Sequence, residues 1–300
     1  MSNRIKRIAI VGLGLIGGSL AMALKINGYQ VVGISKKEET LLYAKNANVI
    51  EEGFTEINSN VLNNVDIIFL ATPLSLIFEY IEKLRKIVKK EIILTDVGST
   101  KVEICNFAKE KLPENITFIG GHPMAGTEKA GFLSAQLGLF KNCPWILTPH
   151  DESSKIKNAL NILENLIIQI GAVPIITNAE EHDMLVALVS HLPLLASLGL
   201  CQMVQKTKSD SLKKLATMIA SSGFRDTTRI AGANPNLSSD LISSNHKKLS
   251  QILPSYISEL QSLLELALKD KKDFLKNISV LSEWRKDLYN SEGKNKYLTR

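Results

Sequence analysis

Residues 7–24, RIAIVGLGLIGGSLAMAL, decide the fold of this chain. A short apolar run leads into glycines at positions 12, 14 and 17, and a second apolar run follows at helical spacing. In a G-x-G-x-x-G pattern the first glycine permits a tight turn, the second lets a pyrophosphate approach the backbone, and the third lets helix and strand pack closely. The helix N-terminus then offers free N–H groups to the phosphates. The stretch predicts a dinucleotide site that includes Gly12, Gly14, Leu15, Ile16 and Gly17.

The alternation of short apolar runs with amphipathic stretches continues through the first half of the chain. Further strands are predicted at QVVGIS, VDIIFLAT, EIILTDVG, ITFIGGHP, PWILTP and GAVPIIT, and helices near 38–47, 75–89, 101–111 and 153–170. This pattern predicts an α/β fold, a doubly wound Rossmann-type sheet of parallel strands joined by crossover helices. From Asn178 onward only helices are predicted. We therefore expect a dinucleotide-binding domain at 1–172 and a helical domain at 173–300.

Composition narrows the class of protein. The chain has 300 residues, 45% of them hydrophobic and 22% charged, which is typical of a soluble globular protein. The net charge of +6 suits anionic small molecules, and no basic run is interleaved with aromatic residues, so nucleic acid is not an expected partner. Cys105, Cys143 and Cys201 are widely spaced and odd in number, which favours reduced thiols of a cytoplasmic protein over disulfides or a metal site.

Two segments resemble membrane signals. The basic start followed by an apolar run has features of a signal peptide, but its glycines stand at phosphate-binding spacing. Met184–Gln205 contains no Asp, Glu, Lys or Arg and is long enough to span a bilayer. It holds His191 and Pro193 and has no second hydrophobic span with it, so we expect a fully buried helix at the centre of a helical domain or dimer, and no membrane.

The second strand indicates which cofactor the turn binds. This strand ordinarily ends in a carboxylate that holds the ribose hydroxyls of NAD, but here VVGIS is followed by two lysines. Ser35 can donate a hydrogen bond to a 2′-phosphate, and Lys36 and Lys37 can neutralise it. The alternative is that both lysines are simply solvated at the start of a helix, with Glu38 and Glu39 partly offsetting them. We expect NADP as the cofactor.

Three other strand ends carry polar residues, at the edge where open α/β sheets bind ligands. Thr72 and Pro73 follow the strand VDIIFL and are expected to contact the cofactor. Ser99, in DVGSTK, is either a helix cap or a hydroxyl of the site. His122 lies in GGHPMAGTE, where it can take a proton from an alcohol as hydride leaves the same carbon.

The motifs GLGLIGGS, DVGSTK, GHPMAGTEKAG, VSHLPLLAS and SSGFRDTTRIAGANP together resemble the prephenate/arogenate dehydrogenase family of tyrosine biosynthesis. They occur in order over roughly residues 6 to 240, and HPMAGTE with GFRDTTRIA is highly specific. The resemblance implies an N-terminal dinucleotide-binding domain and a C-terminal helical domain through which two chains dimerise. It also implies oxidative decarboxylation of a cyclohexadienol without a metal, because aromatisation of the ring drives the loss of carbon dioxide.

The resemblance also implies roles for individual residues. His122 matches the catalytic histidine that accepts the proton of the 4-hydroxyl, and Ser99 matches the serine that helps to orient it. Arg229 matches the arginine that binds a substrate carboxylate, for which a guanidinium is well shaped. Asp226, three residues earlier, is expected to orient Arg229. The remaining expected substrate-binding residues are Arg225, His191 and Thr127.

One position departs from the pattern of prephenate-using members. Their SHLP stretch continues with a second histidine that helps to hold the substrate side chain, and here Leu194 stands there. Together with the Ser-Lys-Lys sequence after the second strand, this resembles NADP-dependent arogenate dehydrogenases. We therefore expect arogenate as the substrate, with prephenate as the alternative.

Two other classes of function remain open at this point. A β-hydroxyacid dehydrogenase or imine reductase also joins such a domain to helices, but would be expected to use a lysine or another donor on the helical domain, without HPMAGTE. A non-catalytic NADP-binding sensor would keep the glycine turn, with no reason to keep His122, Ser99 and Arg229 together.

Overall fold

A single mixed sheet organises the first part of the chain. The computed structural model describes residues 5–126 and 129–289. Eight strands lie in the order β3-β2-β1-β4-β5-β6-β7-β8. All neighbours are parallel except β6 and β7, which are antiparallel. The strands are β1 Arg7–Val11, β2 Gln30–Ile34, β3 Glu52–Phe54, β4 Ile67–Leu70, β5 Ile92–Asp96, β6 Ile116–Pro123, β7 Pro144–Thr148 and β8 Val173–Ile176.

Helices cover both faces of this sheet. Along β1, Ile8 and Ile10 pack into one hydrophobic core and Ala9 and Val11 into the other, because successive side chains of a strand point to opposite faces. The first core also receives α1 and α5, and the second receives α3 and α4. The helices of this part are α1 Leu15–Ile26, α2 Glu38–Asn46, α3 Leu74–Ile87, α4 Val102–Lys111 and α5 Ser154–Gln169.

The predicted doubly wound α/β fold is confirmed, with two differences in detail. The prediction missed β3, a three-residue strand at the edge of the sheet whose side chains are only half-buried. Such a strand has no continuous apolar run from which it could be recognised. The prediction of parallel strands throughout is wrong for β7, which runs antiparallel to β6, and for β8, which runs parallel to β7.

The rest of the described chain is helical. Its helices are α6 Ala179–Val186, α7 Leu192–Gln205, α8 Asp210–Ile219, α9 Ser222–Thr228, α10 Pro235–Ser244, α11 His246–Lys269 and α12 Lys271–Leu288. Contacts divide the chain into two units: the second is Asp183–Asp287, and the first contains the described residues up to His182 together with Leu288 and Tyr289. The predicted boundary near residue 172 lies too early, because β8 begins at Val173 and pairs with β7.

A π-helical turn, Ala187–His191, joins α6 to α7. Its widened geometry is closed by a hydrogen bond from the Leu192 N–H to the Ala187 carbonyl, five residues back. Pro193 follows directly, and a proline has no N–H for the carbonyl four residues earlier. A wider turn accommodates such a residue, and π-turns often occur at functional sites. The turn thereby sets the position of His191.

The combined helical segment Ala179–Gln205 is long and apolar enough to cross a membrane by length and composition, and 33% of its most apolar stretch is buried. One such segment is weak evidence for a membrane protein. The expectation of a fully buried helix is not met within one chain, since Leu188, Val189 and Met203 are more than half exposed.

Candidate active site

The glycine turn between β1 and α1 has the geometry that a dinucleotide needs. Gly12 adopts φ +96°, and a Cβ there would lie 2.4 Å from the Ala71 carbonyl oxygen. A Cβ on Gly17 would lie 1.9 Å from the Gly12 carbonyl oxygen, so the start of α1 packs directly on the turn. A Cβ on Gly14 would meet nothing within 4 Å. The backbone is therefore open on the side from which a pyrophosphate approaches.

Leu15 and Ile16 open α1, where the first N–H groups of the helix have no acceptor within it. The side chain of Leu15 is buried and that of Ile16 is half-buried. The two residues can thus offer backbone N–H groups to a phosphate while their side chains pack below.

Thr72 lies beside this turn at the carboxyl end of β4, next to β1 in the sheet. Its methyl group is 3.0 Å from the position of a Cβ on Gly12. Its hydroxyl oxygen is buried and has no hydrogen-bond partner among the described residues. Pro73 follows, exposed, just before α3. A buried hydroxyl without a partner next to the glycine turn fits a bound dinucleotide that would supply one.

Ser35 follows β2, where the acidic residue is missing. Its N–H donates to the Phe54 carbonyl at 3.0 Å, and its Oγ accepts the Lys37 N–H at 3.3 Å. The hydroxyl hydrogen of Ser35 can therefore still be donated to an anion. The side chains of Lys36 and Lys37 are exposed beside it.

A buried ion pair that was not predicted from the sequence lies between the end of β5 and the start of α4, and both of its members bond to the backbone of β6. Lys101 and Asp96 are both completely buried and form a salt bridge. Lys101 Nζ also donates to the Gly121 carbonyl at 2.9 Å, and the Gly121 N–H donates to Asp96 Oδ1 at 3.0 Å. These bonds fix the connection between β5 and α4 against the backbone that precedes His122.

Ser99 lies inside that fixed connection and is half-buried. Its alternative interpretation as a helix cap is wrong, because α4 begins at Val102 and Lys101 occupies the cap position. Ser99 follows β5, and His122 lies near the end of the neighbouring parallel strand β6, so both lie at the same edge of the sheet. This placement is compatible with a hydroxyl of the site.

His122 contacts a second histidine. Its Nδ1 lies 2.9 Å from Nε2 of His182, with the rings 5.1 Å apart between centroids and inclined by 69°. His122 is half-buried near the end of β6, and His182 is 2% exposed on α6. One residue before His182, a hydrogen bond from the Thr177 hydroxyl lowers the pKa of the Glu181 carboxyl below its ordinary value, so that carboxylate stays ionised.

His182 was not singled out in the sequence. A histidine between acidic residues at the start of a helix has no local signature of function. The available signal was its occurrence just after the last predicted strand, in the region that links the two domains.

The second unit contains the other predicted site residues except Thr127, which lies outside the described residues. His191 is 1% exposed. Its Nδ1 lies 3.2 Å from Nδ2 of Asn245, which is also buried. Leu194, the residue that departs from the family pattern, is also buried. Asn245 is a further residue that the sequence analysis missed.

The described residues show Asp226 bonded to Arg225 and record no bond between Asp226 and Arg229. The Asp226 carboxylate accepts from Arg225, from Nε at 2.8 Å and from a terminal nitrogen at 3.3 Å. Arg229 starts a short 3₁₀ turn, Arg229–Gly232, directly after α9 ends. The turn is held instead by a bond from the Ala231 N–H to the buried Ser197 hydroxyl. Arg229 itself is exposed.

Within residues 5–126 and 129–289, no group of three His, Cys, Asp or Glu side chains could hold a metal ion. The three cysteines are free thiols. The sheet, the glycine turn and the histidine at a strand end define a nucleotide-binding domain of the dehydrogenase type, followed by a helical domain.

Comparison with known proteins identifies the family. Residues 20–176 match the family model of the prephenate dehydrogenase nucleotide-binding domain, and residues 178–280 match that of its dimerization domain. The chain is 35% identical over 265 residues to prephenate dehydrogenase of Bacillus subtilis, covering 87% of this chain and 70% of that protein. It is 31% identical to cyclohexadienyl dehydrogenase of Zymomonas mobilis, over 90% of this chain and 91% of that protein.

Solved structures agree. Synechocystis arogenate dehydrogenase superposes with a TM-score of 0.82 at 34% identity, over 94% of this chain and 99% of that one. Prephenate dehydrogenase from Aquifex aeolicus, in complex with hydroxyphenyl propionate and NAD+, superposes with a TM-score of 0.86 at 27% identity. The match covers 95% of this chain and 99% of that one. The chain belongs to the prephenate/arogenate dehydrogenase family, so the resemblance inferred from its motifs is confirmed.

Proposed function

We propose that this protein is an NADP-dependent arogenate dehydrogenase, which converts arogenate to tyrosine by oxidative decarboxylation. The observation that carries the proposal is His122, half-buried at the ligand-binding edge of the sheet with its Nδ1 on His182. Such a histidine is suited to accept the proton of a substrate hydroxyl. The bound nicotinamide supplies the acceptor for the hydride from the same carbon.

The proton of the 4-hydroxyl goes to Nε2 of His122. For Nε2 to accept that proton, Nδ1 must carry the ring hydrogen and donate it to Nε2 of His182 across the 2.9 Å contact. The alcohol carbon loses hydride and becomes a ketone. Cleavage of the bond to the carboxylate releases carbon dioxide and returns its electron pair to the ring. The ring becomes aromatic as its oxygen regains a proton, so His122 need only hold that proton.

The remaining proposed roles concern positioning and binding. Ser99 orients the hydroxyl, and the buried Asp96–Lys101 pair holds the connection on which Ser99 lies. Arg229 binds a substrate carboxylate. The other proposed substrate-binding residues are Arg225, Asp226, His191 and Thr127. Asp226 neutralises Arg225 and therefore contributes less to binding an anionic substrate.

Leu194 supports arogenate over prephenate. This buried side chain replaces the second histidine of the pattern seen in prephenate-using members and offers no hydrogen bond to a keto oxygen. The alternative substrate is prephenate, which would give 4-hydroxyphenylpyruvate. Relatives named for prephenate, arogenate and cyclohexadienyl substrates all resemble this chain, so the family does not decide between them.

The cofactor proposal rests on the end of β2. Nicotinamide dinucleotides share the pyrophosphate that the glycine turn fits, and they differ at the ribose. Ser35, Lys36 and Lys37 offer one hydroxyl and two cations there, and β2 ends without a carboxylate to repel a 2′-phosphate. These features favour NADP over NAD.

The protein is further proposed to work as a cytoplasmic homodimer, with no nucleic-acid or membrane partner. The second unit matches a dimerization domain by description, and its apolar residues Leu188, Val189 and Met203 are exposed in the single chain. The three free cysteines of the protein suit a reducing compartment.

The deciding experiment measures kcat/KM for the four pairings of arogenate or prephenate with NADP or NAD, by following reduced cofactor. We expect the arogenate–NADP pairing to be the most efficient. If prephenate were used more efficiently with either cofactor, the assignment of arogenate as substrate would be wrong. The assignment to this class of dehydrogenase would remain correct. Turnover of neither substrate, with NADP still bound in a titration, would favour a non-catalytic sensor.

A further inference from the structure

Asn245 and His191 form a buried polar pair in the second unit. Asn245 is 3% exposed and occupies the junction of α10 and α11, and His191 is 1% exposed in the π-turn. Nδ2 of Asn245 lies 2.7 Å from the Asp183 carbonyl oxygen and 3.2 Å from Nδ1 of His191. The Asn245 carbonyl accepts the Leu249 N–H at 3.0 Å, so the residue is held at both its backbone and its side chain.

The directions of these bonds follow from elementary chemistry. A backbone carbonyl can only accept, so the atom of Asn245 that faces Asp183 must be the amide nitrogen and not the amide oxygen. That nitrogen has two hydrogens and no lone pair to offer. The bond with His191 can therefore run only from Asn245 to Nδ1, which must be without a hydrogen.

We infer that Asn245 fixes the tautomer of His191 and so makes it a hydrogen-bond donor to an oxygen of the substrate. In the neutral ring with Nδ1 unprotonated, the hydrogen sits on Nε2. Nε2–H can donate to a carboxylate or keto oxygen, and it cannot accept a hydrogen from an ammonium group. Asn245 is thus a positioning residue that acts through His191.

This inference deepens the proposed function and rests on it for the contact between His191 and the substrate. It also excludes His191 as the partner of the arogenate amino group, which must bind elsewhere. The half-buried His122 and the buried His191 then carry their hydrogens on different atoms, His122 on Nδ1 and His191 on Nε2. The difference comes from what each Nδ1 faces, His182 in one case and an amide nitrogen in the other.

The direct test is the tautomer itself. The chain has five histidines, so ¹⁵N-histidine labelling of the full-length protein gives a spectrum in which His191 can be assigned by its loss in His191→Gln. We expect Nδ1 of His191 to be unprotonated and Nε2 to be protonated. In Asn245→Asp the carboxylate accepts instead of donating, and the hydrogen should move to Nδ1. A protonated Nδ1 in the wild-type protein would overturn the inference.

The matched control is Asn115→Asp. Like Asn245, Asn115 donates two hydrogen bonds from its amide nitrogen, in this case to the backbone carbonyls of Val88 and Lys90. Asn115 lies in the first unit. Asn115→Asp should cost stability and leave the His191 tautomer and the KM for substrate unchanged. A tautomer change of the same kind in this control would assign the effect to general destabilisation and overturn the role of Asn245.

Steady-state kinetics test the link to the substrate. Asn245→Asp should raise the KM for substrate about tenfold, the effect of one hydrogen bond, with kcat and the Kd for cofactor little changed. Asn245→Gln, which keeps a donor, should recover part of this loss. If the tautomer moved and KM did not, His191 would not contact the substrate. Lack of turnover by the wild-type enzyme would instead count against the proposed function, because the tautomer is measured without substrate.

Discussion

Two side chains, His122 and Arg229, are proposed to act at different stages of the same reaction. Replacing His122 with Asn keeps a polar group of similar size and removes the proton acceptor. We expect kcat to fall by about 10² to 10⁴, the usual contribution of a general base.

Replacing Arg229 with Ala should mainly raise KM, by roughly ten- to a hundredfold, since a charged hydrogen bond to the carboxylate is lost. Both values come from steady-state kinetics at saturating cofactor.

His150→Asn is the control for the first of these substitutions. His150 follows β7, outside the proposed site, and pairs with Asp151. Its substitution should leave kcat unchanged. Full activity of His122→Asn would show that another group accepts the proton.

The cofactor choice is tested at Ser35. Ser35→Asp places a carboxylate where the 2′-phosphate of NADP is proposed to lie, so repulsion replaces a hydrogen bond. The ratio of kcat/KM for NADP to that for NAD should fall by at least about tenfold, which corresponds to about 1.4 kcal/mol. The measurement uses both cofactors at saturating arogenate.

Ser35→Ala separates repulsion from the lost hydrogen bond and should reduce the same ratio by less. If Ser35→Asp kept the wild-type ratio, the residues after β2 would not contact the 2′-phosphate. The enzyme class would stand in that case.

Single residues differ in how far the sequence could predict them. Gly12 and Gly17 were predictable because their requirement is local, and the structure shows the close approaches that exclude a Cβ. His182 and Asn245 were not, because their partners lie 60 and 54 residues away in the sequence. Hydrogen bonds over such separations depend on tertiary packing, which leaves no local pattern.

At the scale of elements, the connection from β5 to α4 depends on the Asp96–Lys101 pair. Lys101→Met keeps the volume and leaves the Asp96 carboxylate buried without its cation. Breaking a buried pair from one side typically costs about 3–5 kcal/mol. We expect a loss of that order in the free energy of unfolding, measured by urea titration, and a fall in kcat because Ser99 and Gly121 lose their support.

The control for this substitution is Lys111→Met, which removes a partly exposed lysine paired with its exposed neighbour Glu110. It should change stability little, since exposed pairs contribute little. The double variant Asp96→Asn with Lys101→Met should regain part of the lost stability, because no charge is then buried unpaired. Wild-type stability of Lys101→Met would contradict the structural role given to the pair.

The elements themselves were predictable wherever burial imposes a pattern. The central strands are continuous apolar runs, and the first-unit helices show helical spacing, so their positions followed from the sequence. The π-turn at Ala187–His191 was not predicted, because Pro193 in VSHLP is equally compatible with the start of a new helix. Only the backbone shows that the helix widens there and continues.

For the whole molecule, the exposed apolar residues of α7 and the preceding π-turn predict an assembly of two chains. We expect the wild-type protein to show the mass of two chains by light scattering after size-exclusion chromatography. Val189→Glu combined with Met203→Glu should shift this towards one chain, because both side chains are more than 60% exposed in the single chain and would carry charge into an apolar contact.

Ile26→Glu is the matched control. Ile26 is also an exposed apolar residue, at 68%, but it ends α1 in the first unit. Its substitution should leave the mass unchanged. A single-chain mass for the wild-type protein would refute the dimer.

The reversed strand β7 has a consequence for the segment before it. Had β7 run parallel to β6, the chain would have had to cross to the opposite edge before re-entering the sheet. Because it is antiparallel, the described residues between the two strands, 124–126 and 129–143, leave β6 and reach β7 at the edge where ligands bind. They contact α1: the Gln136 N–H donates to the Ser19 hydroxyl at 2.8 Å, and Phe132 packs beside Gly18. Insertions or deletions between His122 and β7 can therefore reshape the ligand-binding edge while every strand keeps its neighbours, which gives evolution or an engineer a way to alter selectivity without disturbing the folding core.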